Sequence, residues 1–223
     1  MTRSGQSRIG VFGGTFNPIH FGHLRAAEEV VEALGLERML FVPSARPPHK
    51  HTRAGDRIAP ADERLRWVRD AVAGNPRFEV DALEIERGGS SYTVDTLRTL
   101  GRRCAPELPV FTIGCDAFAE LGSWREPDEL LALAHFAVMT RPPVSAGSLA
   151  DWLPKELRDE VEIGPDGRSG RHRRAATELW VVEVSALHIS ASDVRRRLRE
   201  GRSVRYLLPE AVRESLEQSG VFD

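Results

Sequence analysis

Two imidazoles three residues apart, His20 and His23, carry the chemistry that the chain advertises most plainly. They stand in IGVFGGTFNPIHFGH, residues 9–23. Ile9–Phe12 reads as a buried strand stopped by Gly13-Gly14, Pro18 excludes regular structure, and His20-Phe21-Gly22-His23 leads into a helical pattern. A glycine turn lets backbone approach a ligand closely, and a helix start offers unpaired N–H groups and a positive dipole end. An imidazole beside phosphates gains a proton from their negative charge and can then donate to charge developing on phosphorus. A zinc site would need two further ligands, and no Cys or His pair stands at helpful spacing.

A second constellation lies near the other end, ISASDVR, Ile189–Arg195. Ser190 or Ser192 suits an N-cap, Asp193 suits the first turn, and Arg195 falls within that turn. The serine hydroxyls, the helix start and Arg195 could reach one anion. An ordinary capped amphipathic helix would read the same way, so this segment alone decides nothing.

The elements that must position these residues alternate. Ile9–Phe12, Met39–Val42, Phe78–Val80 with Leu83–Ile85, Val110–Ile113, Phe136–Met139 and Leu179–Val184 read as short strands covered on both faces. Helical patterns lie between them, with Leu24, Ala27, Val31 and Leu34 on one face and Gly35 as C-cap. The expectation is an α/β fold, one doubly wound, mainly parallel sheet, as a single domain over 1–223 with a helical C-terminal portion from about 186. Ser44–Ala59 and Gly164–Thr177 read as arginine-rich loops. A solvated surface is the better reading of the second, with an RNA contact the lesser one.

Length and composition bound the rest. The 223 residues leave ample apolar surface for a core, and 41% hydrophobic with 29% charged is ordinary for a globular chain. A net charge of −2 argues against nucleic acid as the main partner. No apolar run approaches the ~20 residues of a membrane span, and MTRSGQSR lacks the apolar centre of a secretory signal. Cys104 and Cys115 lack CxxC spacing, so the chain reads as reduced and cytoplasmic. Only Lys50 and Lys155 are lysines among 31 basic residues, which draws notice to Lys50 in PPHKH.

Taken together, GGTFNPIHFGH and ISASDVR resemble the two signatures of the HxGH nucleotidylyltransferase superfamily. PPHK at 47–50, SYTVDTL at 91–97, IGCDAF at 113–118, SW at 123–124 and RP at 141–142 follow in order. That set is similar to the bacterial nicotinate-nucleotide adenylyltransferases, over about residues 8–220. The resemblance implies a Rossmann-like fold and AMP transfer from ATP to nicotinate mononucleotide, with Mg²⁺ accompanying ATP and no metal site built by the protein. His20, His23 and Arg195 would be catalytic. Gly13, Gly14, Thr15, Lys50, Gly114, Asp116, Ser190 and Ser192 would bind ATP and phosphate. Tyr92, Thr93 and Trp124 would bind nicotinate mononucleotide, and Asn17 stands where many relatives carry Asp.

Physical chemistry agrees with the last group. SSYTVDTL reads as a helix start, whose free N–H groups suit a carboxylate better than a neutral amide. Trp124 offers a π face to a flat heterocycle; core packing is the better reading of an isolated aromatic, but a Trp in the polar SWREPDE context of a chain with 7% aromatics is less easily dismissed. None of the usual serine or cysteine nucleophile settings is present, which fits direct in-line transfer. Nicotinamide-mononucleotide, phosphopantetheine and cytidylyl transfer are the rivals inside the superfamily. A class I aminoacyl-tRNA synthetase is disfavoured by the lack of a KMSKS-like loop, and a non-catalytic nucleotide-binding regulator is the rival outside it. Whether the chain forms a homo-oligomer stays open.

Overall fold

A computed structural model describes residues 8–47, 57–140, 147–185 and 187–222. The strands are β1 (Ile9–Gly14), β2 (Arg38–Pro43), β3 (Phe78–Val80), β4 (Val110–Gly114), β5 (His135–Met139), β6 (Val161–Ile163), β7 (Ser169–His172) and β8 (Glu178–Val182). They form one sheet in the order β3-β2-β1-β4-β5-β8-β7-β6. Pairing is parallel from β3 through β8, and β7 and β6 add an antiparallel edge. The doubly wound, mainly parallel sheet expected from the alternation is present.

Strand residues alternate between two cores, as the pleat requires. Phe12, Met39 and Phe41 face one cluster; Val11, Leu40 and Val42 face the other. The first is closed by α1 (Phe21–Leu34), α2 (Ala61–Val72), α8 (Ala191–Arg199) and α9 (Glu210–Ser219), the last two being the helical C-terminal part. The second is closed by α3 (Leu83–Arg87), α4 (Thr93–Cys104), α5 (Cys115–Ala119), α6 (Pro127–Leu133) and α7 (Leu149–Trp152). Gly35 ends α1 in the left-handed region at φ 61°, and its neighbour Leu36 donates back to the Val31 carbonyl.

Two expectations are corrected. Leu83–Ile85 is helical, not a strand, because the Asp81 carboxylate accepts the Leu83 N–H at 2.9 Å and turns the chain. Three apolar residues are too few to carry a period. The stretch 164–177 is not a plain loop: Asp166 accepts the N–H groups of Arg168 and Ser169 and folds Ser169–His172 back as β7. Three of its four arginines meet acids: Arg168 with Glu183 at 2.9 Å, Arg173 with Glu162 at 4.0 Å and Arg174 with Glu160 at 2.6 Å.

Trp67 on α2 is fully buried and packs against Phe222 beyond α9, with ring centroids 6.0 Å apart. Truncating a buried aromatic loses its transfer free energy and leaves a cavity. Trp67→Ala is expected to cost about 3–5 kcal/mol. Chemical denaturation measures this, and a loss under ~1 kcal/mol contradicts the packing role.

Candidate active site

The strand order reverses between β1 and β4, whose carboxyl ends lie side by side; an open α/β sheet binds ligands in that crevice. A cavity of about 700 Å³ occupies it. Of the residues expected to act, His20, His23, Gly114, Asp116 and Ser190 line this cavity together. Gly13 and Gly14 are half-buried at the end of β1. Thr15 is buried, and its carbonyl accepts from Arg64 at 2.8 Å. Lys50, and with it most of PPHK and all of Arg141-Pro142, lies outside the described residues.

His20 stands at the N-cap of α1 with extended backbone, and its N–H donates to His23 Nδ1 at 3.2 Å. That bond makes Nδ1 of His23 an acceptor and leaves the proton of a neutral ring on Nε2. The two rings stack, centroids 3.7 Å apart and planes at 26°. Phe16 and Phe12 meet His23 edge-on at 5.3 and 6.1 Å, fixing its plane. Phe16 pays for this with φ 46°, a left-handed backbone costing a bulky residue about 1–3 kcal/mol. Gly22 lies close under the pair: a Cβ there would sit 3.0 Å from the His20 ring, which would have to give by a few tenths of an ångström.

Burial lowers the His20 pKa from 6.5 to about 4, against a smaller opposing backbone hydrogen bond. Among the described residues, buried His20 Nδ1 has no hydrogen-bond partner, an exception of the kind that gathers at functional sites. The helix start differs from expectation in one respect. The Phe21 N–H is not available to phosphate, because it donates to the Leu207 carbonyl at 3.1 Å. The loop before α9 caps that part of α1, a long-range contact no local pattern could signal.

On the opposite wall Ser190, not Ser192, is the N-cap of α8, accepting the Asp193 N–H at 3.1 Å. Ser192 Oγ accepts from Arg195 Nη2 at 3.3 Å. Arg195 is buried, and its Nη1 donates to the Asn17 carbonyl at 2.8 Å, joining the two signatures. The Asn17 side chain works as donor and acceptor: Nδ2 donates to the Arg57 carbonyl and Oδ1 accepts the Ala59 N–H, each at 3.0 Å. An ionised Asp could make only the second bond.

Tyr92 is the N-cap of α4 and Thr93 its first residue; among the described residues the N–H groups of Thr93 and Val94 have no hydrogen-bond partner. Tyr92 and Trp124 are both half-buried against the second core, so packing accounts for part of each aromatic. Arg125 places its guanidinium 4.6 Å from the Tyr92 ring centroid. Sequence reasoning missed Arg64, Phe12 and Phe16. Arg64 had a signal: it shares a helix face with Trp67 and Val68, which marks a buried arginine.

Residues 11–197 match the cytidylyltransferase-like family model. A probable nicotinate-nucleotide adenylyltransferase of Desulfitobacterium hafniense is 40% identical over 96% of this chain and 95% of its own length. Another from Marinobacter nauticus is 42% identical over 95% of each. Among solved structures, a Plasmodium falciparum nicotinic acid mononucleotide adenylyltransferase complexed with NaAD superposes with TM-score 0.72 over 98% of both chains at 15% identity, a likeness of fold. Fold and site thus define a cytidylyltransferase-like nucleotidyltransferase. Within that class, the chain belongs to the nicotinate-nucleotide adenylyltransferase family.

The His20 ring is expected to titrate near pH 4 by NMR in the protein alone, and higher once ATP is added. Its folded pKa lies below the unfolded 6.5, so stability is full above pH 6.5 and declines as pH falls toward 4. A midpoint near 6.5 in the free protein contradicts the burial argument.

Proposed function

We propose that the chain transfers AMP from ATP to nicotinate mononucleotide, giving deamido-NAD and pyrophosphate. The observation that carries this reading is the stacked His20–His23 pair sharing one cavity with the Ser190 cap of α8. A phosphate oxygen of the mononucleotide attacks the α-phosphorus of ATP in line. The bond from that phosphorus to the bridging oxygen breaks, and pyrophosphate leaves with the electron pair. No enzyme nucleophile is involved.

Catalysis then rests on alignment and charge stabilisation. Alignment supplies up to ~7–11 kcal/mol in favourable cases, and one well-placed donor about 3–4. His23 is the donor of choice: its Nδ1 is engaged by backbone, so Nε2–H is presented in a fixed plane. His20 begins neutral; polyphosphate charge opposes the effect of burial and raises its proton affinity. Gly13, Gly14, Thr15 and Lys50 are assigned to the nucleotide phosphates. Ser190, Ser192 and Arg195 are assigned to the leaving pyrophosphate, and Gly114 and Asp116 to ribose or the bridging region. Tyr92 and Thr93 would offer backbone N–H groups to the nicotinate carboxylate, and Trp124 would stack on the pyridine ring.

Magnesium, carried on the phosphate oxygens of ATP, would neutralise charge there and needs few protein ligands. Asp116, which lines the cavity, offers it a carboxylate oxygen ligand. No helix among the described residues is long and apolar enough to cross a membrane.

Pyrophosphate release from ATP, with nicotinate mononucleotide, nicotinamide mononucleotide or phosphopantetheine as acceptor, tests the assignment. The first is expected to be the best acceptor; no release with any of them overturns the reading. His23→Ala should lower turnover by about 100- to 1,000-fold with far less change in ATP affinity. Near-normal turnover in the folded variant removes His23 from its role. Trp124→Ala should chiefly raise the KM for the mononucleotide, and an unchanged KM excludes stacking.

A further inference from the structure

We infer that Arg64 is a positioning residue: it centres a buried hydrogen-bond relay that sets the two substrate subsites relative to one another without touching substrate. The inference rests on the AMP-transfer reading above for what the subsites hold. Arg64 is 1% exposed, and each of its three guanidinium nitrogens donates to a backbone carbonyl. Nε donates to the Ala59 carbonyl at 3.0 Å, Nη1 to Thr15 at 2.8 Å and Nη2 to Ala45 at 3.0 Å. These carbonyls belong to the turn after β1, the exit of β2 and the approach to α2.

Each contact is continued by another side chain. Ala59 is gripped through both of its backbone polar groups, its N–H by Asn17 and its carbonyl by Arg64. Asn17 in turn offers its own carbonyl to Arg195 on α8, so this arm ends at the pyrophosphate wall. Ala45 is gripped likewise, its N–H donating to Ser91 Oγ at 2.8 Å while its carbonyl accepts from Arg64. The Ser91 N–H donates to the Arg46 carbonyl at 2.9 Å, and Ser91 directly precedes Tyr92, the N-cap of α4. This arm therefore ends at the nicotinate subsite.

Beneath it lies a buried carboxylate, Glu84, which accepts from Thr96 Oγ1 at 2.5 Å and also from the Ser91 hydroxyl. Burial pushes the Glu84 pKa up and that of Arg64 down to about 10, each charge supporting the other. Opposite charges out of water are a poor device for stability, because desolvation offsets their attraction. Holding a register is their better-attested use. A guanidinium is well matched to that role because it is planar, rigid and rich in donors, whereas an ammonium cannot span three carbonyls in one plane.

The test uses Ser91→Ala, Ser91→Thr and Arg64→Lys in the full chain, with amide hydrogen exchange of residues 12–20 and steady-state kinetics. Ser91→Ala should speed exchange in 12–20 and lower kcat several-fold per folded molecule, with both KM values within about threefold; Ser91→Thr should restore both. Arg64→Lys should lower kcat by about 10- to 100-fold, the scale of a small misplacement of reacting groups. Ser91 carries the test by itself if Arg64→Lys does not fold. The proposal is overturned if Ser91→Ala only lowers the melting temperature, leaving exchange in 12–20 or kcat unchanged. If the wild-type protein makes no deamido-NAD, the AMP-transfer reading fails on that ground, while exchange in 12–20 still decides whether the relay exists.

Discussion

A parallel sheet cannot turn back on itself, so each new strand must be reached by a crossover. After β3 the chain crosses the sheet and lays β4 beside β1, on the side away from β2. Loops leaving these two neighbours go to opposite faces of the sheet, and the space between them cannot be filled by either. The crevice is thus a consequence of topology. Phe12 of β1, the start of α1, the start of α5 and the segment entering α8 all converge there because they are the elements bordering that gap.

Within the crevice the chain accepts local costs that a core built for stability would avoid. Phe16 has left-handed backbone, His20 Nδ1 lacks a partner among the described residues, and two imidazoles stack where both cannot readily be charged. These costs share one consequence: the imidazoles are held in place before any ligand arrives. A preorganised donor need not reorganise when charge develops on phosphorus, which is what makes such a donor effective. Burial also keeps His20 neutral at neutral pH.

Much of this was legible in the residues. The short apolar runs foretold the parallel strands and Gly35 the end of α1; the two histidines and Ile189, Ser190 and Ala191 of ISASDVR line the cavity, whereas Ser192 and Arg195 are not among its lining residues. What failed did so for identifiable reasons. Leu83–Ile85 is too short to show a period, and an Asp81 side chain decided its conformation. The 164–177 run looked like a loop because its arginines mask a strand whose partners, Glu178–Val182 and Val161–Ile163, lie on either side of it in sequence. The Phe21 N–H looked available because its acceptor, Leu207, is far along the chain.

The sequence by itself determined the inventory: a strand, a glycine turn, paired imidazoles at a helix start, and a serine-capped helix bearing an arginine. Those are local matters, set by propensity, capping and the short reach of neighbouring side chains. Only the tertiary structure decided that Arg195 meets the Asn17 carbonyl across 178 residues, that Ser190 rather than Ser192 caps α8, and that Arg64 faces inward to hold Thr15, Ala45 and Ala59. The physical reason is that a backbone carbonyl has the same chemistry at every position. Which carbonyl a buried guanidinium finds depends on how the sheet brings distant segments together, and no local pattern of residue types records that.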